Sequence, residues 1–179
     1  MIFEPGRLTI LVLDEEFARR NAMRAMLERM GVRTTRVAAS SGEAVERLRS
    51  EHIDLMIIDD GFAGSAVDFI ATIRRRTRGR IQQMPIIVCL EADEKLVRAA
   101  RDAGVNEMVA KPVTAESMRL RLREIVMRPR PFVRANLYVG PCRRRRKELK
   151  LLVSERRGSL KTKGPDPFNP ALKPSPQKR

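Results

Sequence analysis

The feature that most constrains this chain is an alternation. Five short runs rich in Val, Ile and Leu, at residues 8–13, 34–38, 55–59, 86–90 and 105–110, are separated by stretches whose apolar residues recur at helical spacing. Strands that are apolar at successive positions are buried on both faces, which requires a parallel sheet with helices packed on either side. The first helix is expected over 17–30, with Ala22, Met23, Met26, Leu27 and Met30 on one face and Gly31 as its stop. Ser40-Ser41-Gly42-Glu43 has the form of a capped start for a helix to residue 50, with Ala44, Val45 and Leu48 facing inward. Helices over 65–76 (burying Val67, Ile70 and Ile73), 93–103 (ended by Gly104) and 114–127 (Thr114 as cap, Met118, Leu122 and Ile125 packed) complete the pattern. The fold class predicted for residues 1–127 is therefore α/β: a flavodoxin-like, doubly wound, five-stranded parallel sheet in the order 2-1-3-4-5.

Charge divides the chain in two. Residues 128–179 hold 16 Lys or Arg against 3 acids, a net of +13, whereas residues 1–127 hold 21 against 19. The same C-terminal segment carries 8 of the 11 prolines. This predicts a near-neutral domain at 1–127, a linker at 128–142 that docks Phe132, Val133, Leu137 and Tyr138, an arginine-rich segment at 143–163 able to form a short helix, and a disordered Pro/Lys-rich tail at 164–179. Cys89 and Cys142 make no metal or redox spacing, and Cys89 reads as a small buried hydrophobe. The opening "MIFEPGRLTILVLDEE" has no basic stretch before its short apolar run, so a strand is expected there and no signal peptide. No run reaches membrane-spanning length, and a cytoplasmic protein is expected.

Acids fall where such a fold binds ligands. Asp14 and Glu15 follow the first strand, Asp59 ends the third, and Lys111 ends the fifth. Strands 1 and 3 are central neighbours in the 2-1-3-4-5 order, so these carboxylates share the crevice outside the strand ends. Clustered acids repel unless a cation offsets them, and Mg²⁺ suits carboxylates that must also leave room for phosphate oxygen. A lysine opposite can neutralise an arriving phosphate, and attack by a carboxylate oxygen on phosphorus would give an acyl phosphate. Side chains alternate along a strand, so Asp59 is expected to face the crevice and Asp60 to begin the loop, the two not pointing into it together.

Residues 7–127 resemble the receiver domain of two-component response regulators, in particular the single-domain chemotaxis type. "LVLDEE" matches the acidic pair of that family, "DLMIID" the phosphoacceptor strand and "GVNEMVAKP" the lysine strand. The resemblance implies that Asp14 and Glu15 hold Mg²⁺ together with Asp59 and the backbone carbonyl of Gly61. It further implies that Asp59 takes a phosphoryl group from a sensor histidine kinase or phosphotransfer protein, that Lys111 pairs with that group, and that the Lys111–Pro112 bond is cis. The chain also departs from the pattern. The loop "DGFAGSAVDF" lacks the usual Met-Pro, Leu90 stands where a Ser or Thr hydroxyl swings toward the phosphate, and Met108 replaces the aromatic switch residue. An atypical receiver is implied, with acceptor chemistry retained and conventional switching lost. His52, among polar neighbours, is expected on the surface.

For the basic segment three partners fit: none beyond solvent, loose electrostatic contact with nucleic acid or an anionic membrane, or a specific anionic ligand. Arginine's planar fork matches phosphate and the guanine edge, which cyclic di-GMP offers twice over. "YVGPCRRRR…ERRG" resembles the arginine-rich tails of chemotaxis-like regulators that bind this nucleotide. On that reading Arg143, Arg144, Arg145, Arg146, Arg156 and Arg157 carry the site, with Tyr138 stacking. The reading of the whole chain is a stand-alone, non-enzymatic response regulator with an unidentified downstream protein target. Its alternative is a phosphorylation-independent effector that binds cyclic di-GMP through the tail. A Mg²⁺-dependent phosphatase would need a further acid or base near Asp59, and the sequence offers none.

Overall fold

A computed structural model describes residues 3–62 and 65–144. Strands β1 (Thr9–Leu13), β2 (Thr34–Ala38), β3 (Leu55–Asp59), β4 (Ile86–Leu90) and β5 (Glu107–Ala110) form one parallel sheet in the order β2-β1-β3-β4-β5. Pairing runs from Ile10 with Leu55 to Leu13 with Ile58 across the centre, which sets the ends of β1 and β3 side by side.

The apolar runs are explained by a sheet with two covered faces. Leu11 and Leu13 of β1, Met56 and Ile58 of β3, and Ile86 and Val88 of β4 pack on one side with Leu48, Phe69, Ile70 and Ala100. Their strand neighbours Ile10, Val12, Leu55, Ile57, Ile87 and Cys89 pack on the other with Leu27, Met30, Met118 and Leu122. Each such side chain removed from water contributes about 1.5–3 kcal/mol, so every position of these strands is selected for apolarity, not every second one.

The helices are α1 (Phe17–Arg29), α2 (Ser41–Ser50), α3 (Ala66–Arg76), α4 (Gly79–Gln83), α5 (Glu94–Ala103) and α6 (Ala115–Met127). Ser40 Oγ accepts the Glu43 N–H at 3.2 Å while the Glu43 carboxylate accepts the Ala39 N–H at 2.8 Å, a reciprocal cap. Asp93 caps α5, and Thr114 with Ser117 caps α6. In α1 the inward face is Leu27 and Met30, with Met23 and Met26 partly buried; Ala22 is exposed, contrary to expectation. The short α4 has no apolar period and was not expected.

The largest departure lies at 128–142. Where a linker was expected, Phe132–Ala135 (β6) and Tyr138–Pro141 (β7) form an antiparallel hairpin that belongs to the same compact unit as the sheet. Leu137, expected to dock, is 91% exposed at its tip. Arg134 bonds Gln82 and Arg130 pairs with Glu107 to fasten the hairpin, and against its Phe132 lies Arg74, 1% exposed. Its Nε donates to Gly104 O at 2.9 Å, Nη1 to Gln82 O at 2.6 Å and Met84 O at 2.8 Å, and Nη2 to Asn106 Oδ1 at 2.9 Å. The guanidinium also lies 5.7 Å from the centre of the Phe132 ring. Burial pushes its pKa down to about 10, which leaves it cationic at neutral pH. Gly104, with φ at +93°, closes α5 in the left-handed region, and a Cβ there would lie 2.7 Å from Val139 O. Backbone of β7 therefore sits against the turn that feeds β5.

Among the described residues, no helix is long and apolar enough to cross a membrane.

Candidate functional site

The crevice outside the strand ends is built from three of them. Asp14 follows β1, and its N–H donates to Ala38 O of β2 at 3.2 Å. Its carboxylate is buried, the residue 5% exposed, and accepts the Glu16 N–H at 2.9 Å. Asp59 closes β3, opposite Cys89 of β4, and is 9% exposed. Lys111 follows β5 and donates its own N–H to Leu90 O at 3.0 Å; the Lys111–Pro112 bond is cis, as the resemblance implies.

The side chains converge. Lys111 Nζ stands 3.0 Å from each Asp59 oxygen and also donates to Asp60 Oδ1. Asp59 Oδ1 accepts the Gly61 N–H at 3.0 Å. A Cβ on Gly61 would lie 3.0 Å from that oxygen, so glycine gives the loop its close approach to the acid. Burial works to lower the Lys111 pKa, but hydrogen bonds to Asp60 and Asp59 outweigh it and hold the ammonium above its usual range.

Asp60 departs from the expected alternation. Its Oδ2 accepts the Glu91 N–H at 2.9 Å while Oδ1 meets Lys111, so both acids of "DD" serve one ammonium. The alternation rule holds within a strand. β3 ends at Asp59, and the Asp60 N–H bonds Cys89 O at 2.9 Å as the chain turns.

A residue that sequence reasoning missed holds the other side. Arg19, in the first turn of α1, donates from Nε to Asp14 Oδ2 at 3.0 Å and from Nη2 to Asp14 Oδ1 at 2.9 Å. Its Nη1 pairs with Glu16, and its Nε lies 3.9 Å from Asp59 Oδ1. The hydrogen bond to Asp14 raises the Arg19 pKa still further, against an opposing effect of burial. Asp14 and Asp59 thus share one cation between them, which is the donor set and convergence that a hard divalent ion takes. Glu15, expected as the third ligand, is exposed, and its carbonyl accepts from Arg20 at 3.1 Å. Among the described residues no three His, Cys, Asp or Glu side chains are gathered to hold a metal.

The crevice encloses about 290 Å³, with Asp14, Arg19, Asp59 and Lys111 on its lining beside the apolar Met23, Met26 and Ile57 and the thiol of Cys89. The Cys89 thiol on its wall is pushed up to about 12 by burial and then by the charge of Asp59, which makes it neutral and unreactive at physiological pH. Leu90 ends β4 at 3% exposure, in the apolar cluster with Leu13 and Phe62; Met108 of β5 is partly buried against that cluster. Two apolar side chains therefore stand at the expected switch positions. His52 is exposed, its Nε2 3.0 Å from Asp54 Oδ1.

The residues assigned to the basic segment fall differently. Arg143 covers the Tyr138 ring, its guanidinium 4.0 Å from the ring centre, and pairs with Asp102 of α5 at 3.1 Å. Tyr138 OH donates to Pro141 O at 2.7 Å. Tyr138, expected to stack on a nucleotide, has one face of its ring covered by the protein's own arginine. Arg144 is the last described residue; Arg145, Arg146, Arg156 and Arg157 lie outside the described residues.

Comparison with known proteins agrees with this fold. Residues 10–123 match the family model described as the response regulator receiver domain. The chemotaxis protein CheY of Pseudomonas aeruginosa is 27% identical over 123 residues, which covers 68% of this chain and 98% of that protein. The response regulator MprA of Mycobacterium tuberculosis is 28% identical over 129 residues, 68% of this chain but 52% of its own length. Among solved structures, the response regulator receiver domain protein from Clostridium thermocellum superposes with a TM-score of 0.60 at 26% identity, covering 68% of this chain and 95% of that one. A putative response regulator from Chloroflexus aurantiacus gives a TM-score of 0.62 at 24% identity, covering 68% and 98%.

Proposed function

Because this chain belongs to the response regulator receiver domain family, we propose that it is an atypical response regulator of a two-component pathway in which Asp59 accepts a phosphoryl group from a sensor histidine kinase or phosphotransfer protein. A carboxylate oxygen of Asp59 attacks phosphorus. The new O–P bond forms as the donor's N–P bond breaks, and the imidazole leaves with the electron pair and takes a proton from solvent. Lys111, already 3.0 Å from both Asp59 oxygens, offsets the charge that gathers on the phosphoryl oxygens, and the Gly61 N–H fixes the carboxylate's orientation. Asp14 and Asp59, with Glu15 and the Gly61 carbonyl assigned by the family resemblance, would hold Mg²⁺, which when bound supplies further positive charge to those oxygens.

The output differs from that of a conventional receiver. Leu90 has no hydroxyl to donate to a phosphoryl oxygen, so the pull that would draw β4 toward an occupied Asp59 is missing. Phosphorylation then acts mainly at the crevice itself, on an unidentified protein that reads the strand-end loops. The protein works in the cytoplasm, where its phosphoryl donor is found.

The observation that carries this reading is the convergence of Lys111 and Asp14 on Asp59. It is tested by incubating the chain with acetyl phosphate and MgCl₂ and measuring intact mass. Wild type gains one phosphoryl group and Asp59→Asn gains none; equal incorporation by the two, or none by wild type, rejects the assignment.

A further inference from the structure

One cation of the crevice is not used by the proposed phosphoryl transfer. Lys111 offsets Asp59 and Asp60, which leaves Asp14, a carboxylate almost out of reach of water, to Arg19. The guanidinium meets both Asp14 oxygens at 2.9 and 3.0 Å and stands 3.9 Å from Asp59. A planar fork grips a carboxylate in this way at two points, and a buried acid stripped of such a partner is costly. A divalent ion bridging Asp14 and Asp59 and this guanidinium compete for the same oxygens.

We propose that Arg19 is the resident counter-cation of the crevice: it occupies the place of the divalent ion between Asp14 and Asp59, and a metal binds only by displacing it. The route out is on the same helix. The Arg19 side chain is 44% exposed, and Glu16, 49% exposed and already paired with Nη1, keeps hold of the guanidinium when it leaves Asp14. Arg19 therefore swings between a closed position on Asp14 and an open one on Glu16, and metal affinity is set by the cost of that swing. This rests on the crevice being the divalent-cation and phosphoryl site proposed above. It adds that the chain keeps its acids paired with its own cation when metal is scarce and responds only where metal is abundant.

The test is calorimetric titration of the full chain with MgCl₂, beside thermal denaturation with and without the salt. Arg19→Ala should bind Mg²⁺ roughly tenfold more tightly than wild type, the scale of losing a hydrogen-bonded charge pair to a carboxylate. Its melting temperature should rise with MgCl₂ by more than that of wild type, and Arg19→Lys, which keeps the charge and loses the fork, should fall between. Equal affinity in wild type and Arg19→Ala, weaker binding by the variant, or no binding by either overturns the proposal. Should Arg19→Ala fail to fold, the Nε–H resonance of Arg19 in the wild-type protein decides: it moves as MgCl₂ is added, or the proposal fails. Acetyl phosphate labelling separates the two claims. Tighter Mg²⁺ binding by Arg19→Ala, with no phosphoryl group taken up by wild type, sinks the acceptor reading and leaves Arg19 standing. Normal labelling with unchanged affinity sinks Arg19 alone.

Discussion

Two arginines of this domain meet opposite fates at opposite ends of the sheet. Arg19, at the carboxyl ends of the strands, is half-exposed and bound to carboxylates. Arg74, at the amino ends of β4 and β5, is sealed from solvent and bound to carbonyls and one side-chain amide. The first arrangement gathers opposite charges that trade partners within reach of water. The second satisfies a cation wholly with dipoles, none of which can leave without orphaning another. A charge that must be exchangeable is paired with charges, and one that must be permanent is paired with backbone.

The largest test of that contrast is Arg74→Met. Apolar volume is kept, yet the carbonyls of Gln82, Met84 and Gly104 lose their donor in a dry site, and the hairpin loses its cation–aromatic contact. A loss of about 3 kcal/mol in urea-unfolding stability is expected. Gly104→Ala should come next, at about 2 kcal/mol, because the new Cβ meets Val139 O in a backbone conformation that alanine resists. Native-state hydrogen exchange should then show β6 and β7 opening before the sheet.

At the other end the effects shrink. Lys111→Met leaves Asp59 and Asp60 side by side without their shared cation, and about 1.5 kcal/mol is expected. The sign of its pH dependence follows from a folded pKa above 10.5. The stabilisation is complete below that pH and is lost as pH rises through the folded value, so wild type and variant should converge in alkaline denaturation. Arg19→Met should cost least, about 1 kcal/mol in metal-free buffer, partly recovered with MgCl₂. The comparison breaks if Arg19→Met proves as damaging as Arg74→Met.

What could be read from sequence follows the same division. Doubly buried strands wrote themselves as uninterrupted apolar runs, and Ser40, Asp93 and Thr114 marked helix starts through local bonds. Asp14, Asp59 and Lys111 were legible because strand order alone brings strand ends together. Arg74 was hidden among Arg74-Arg75-Arg76, three identical letters of which only the first shares the inward phase of Ile70 and Ile73. Even that phase does not announce the carbonyls some ten and thirty residues away that hold it. The hairpin escaped because Pro131, Pro141 and scattered arginines resemble linker composition, while its strands are paired by backbone and packed by a residue from α3. Arg19 gave a fainter signal, a base one turn into the helix that follows an acid-ended strand; chemistry could have flagged it, periodicity could not.

The grip of Arg143 on Tyr138 and Asp102 has one more result. Asp102 lies at the end of α5 that leads into β5, across the sheet's full depth from the acids. The outgoing end of the hairpin is thus fastened to α5 as well as to its own first strand, by an ion pair and a ring contact that a single Asp102→Asn change would reduce to the ring contact alone.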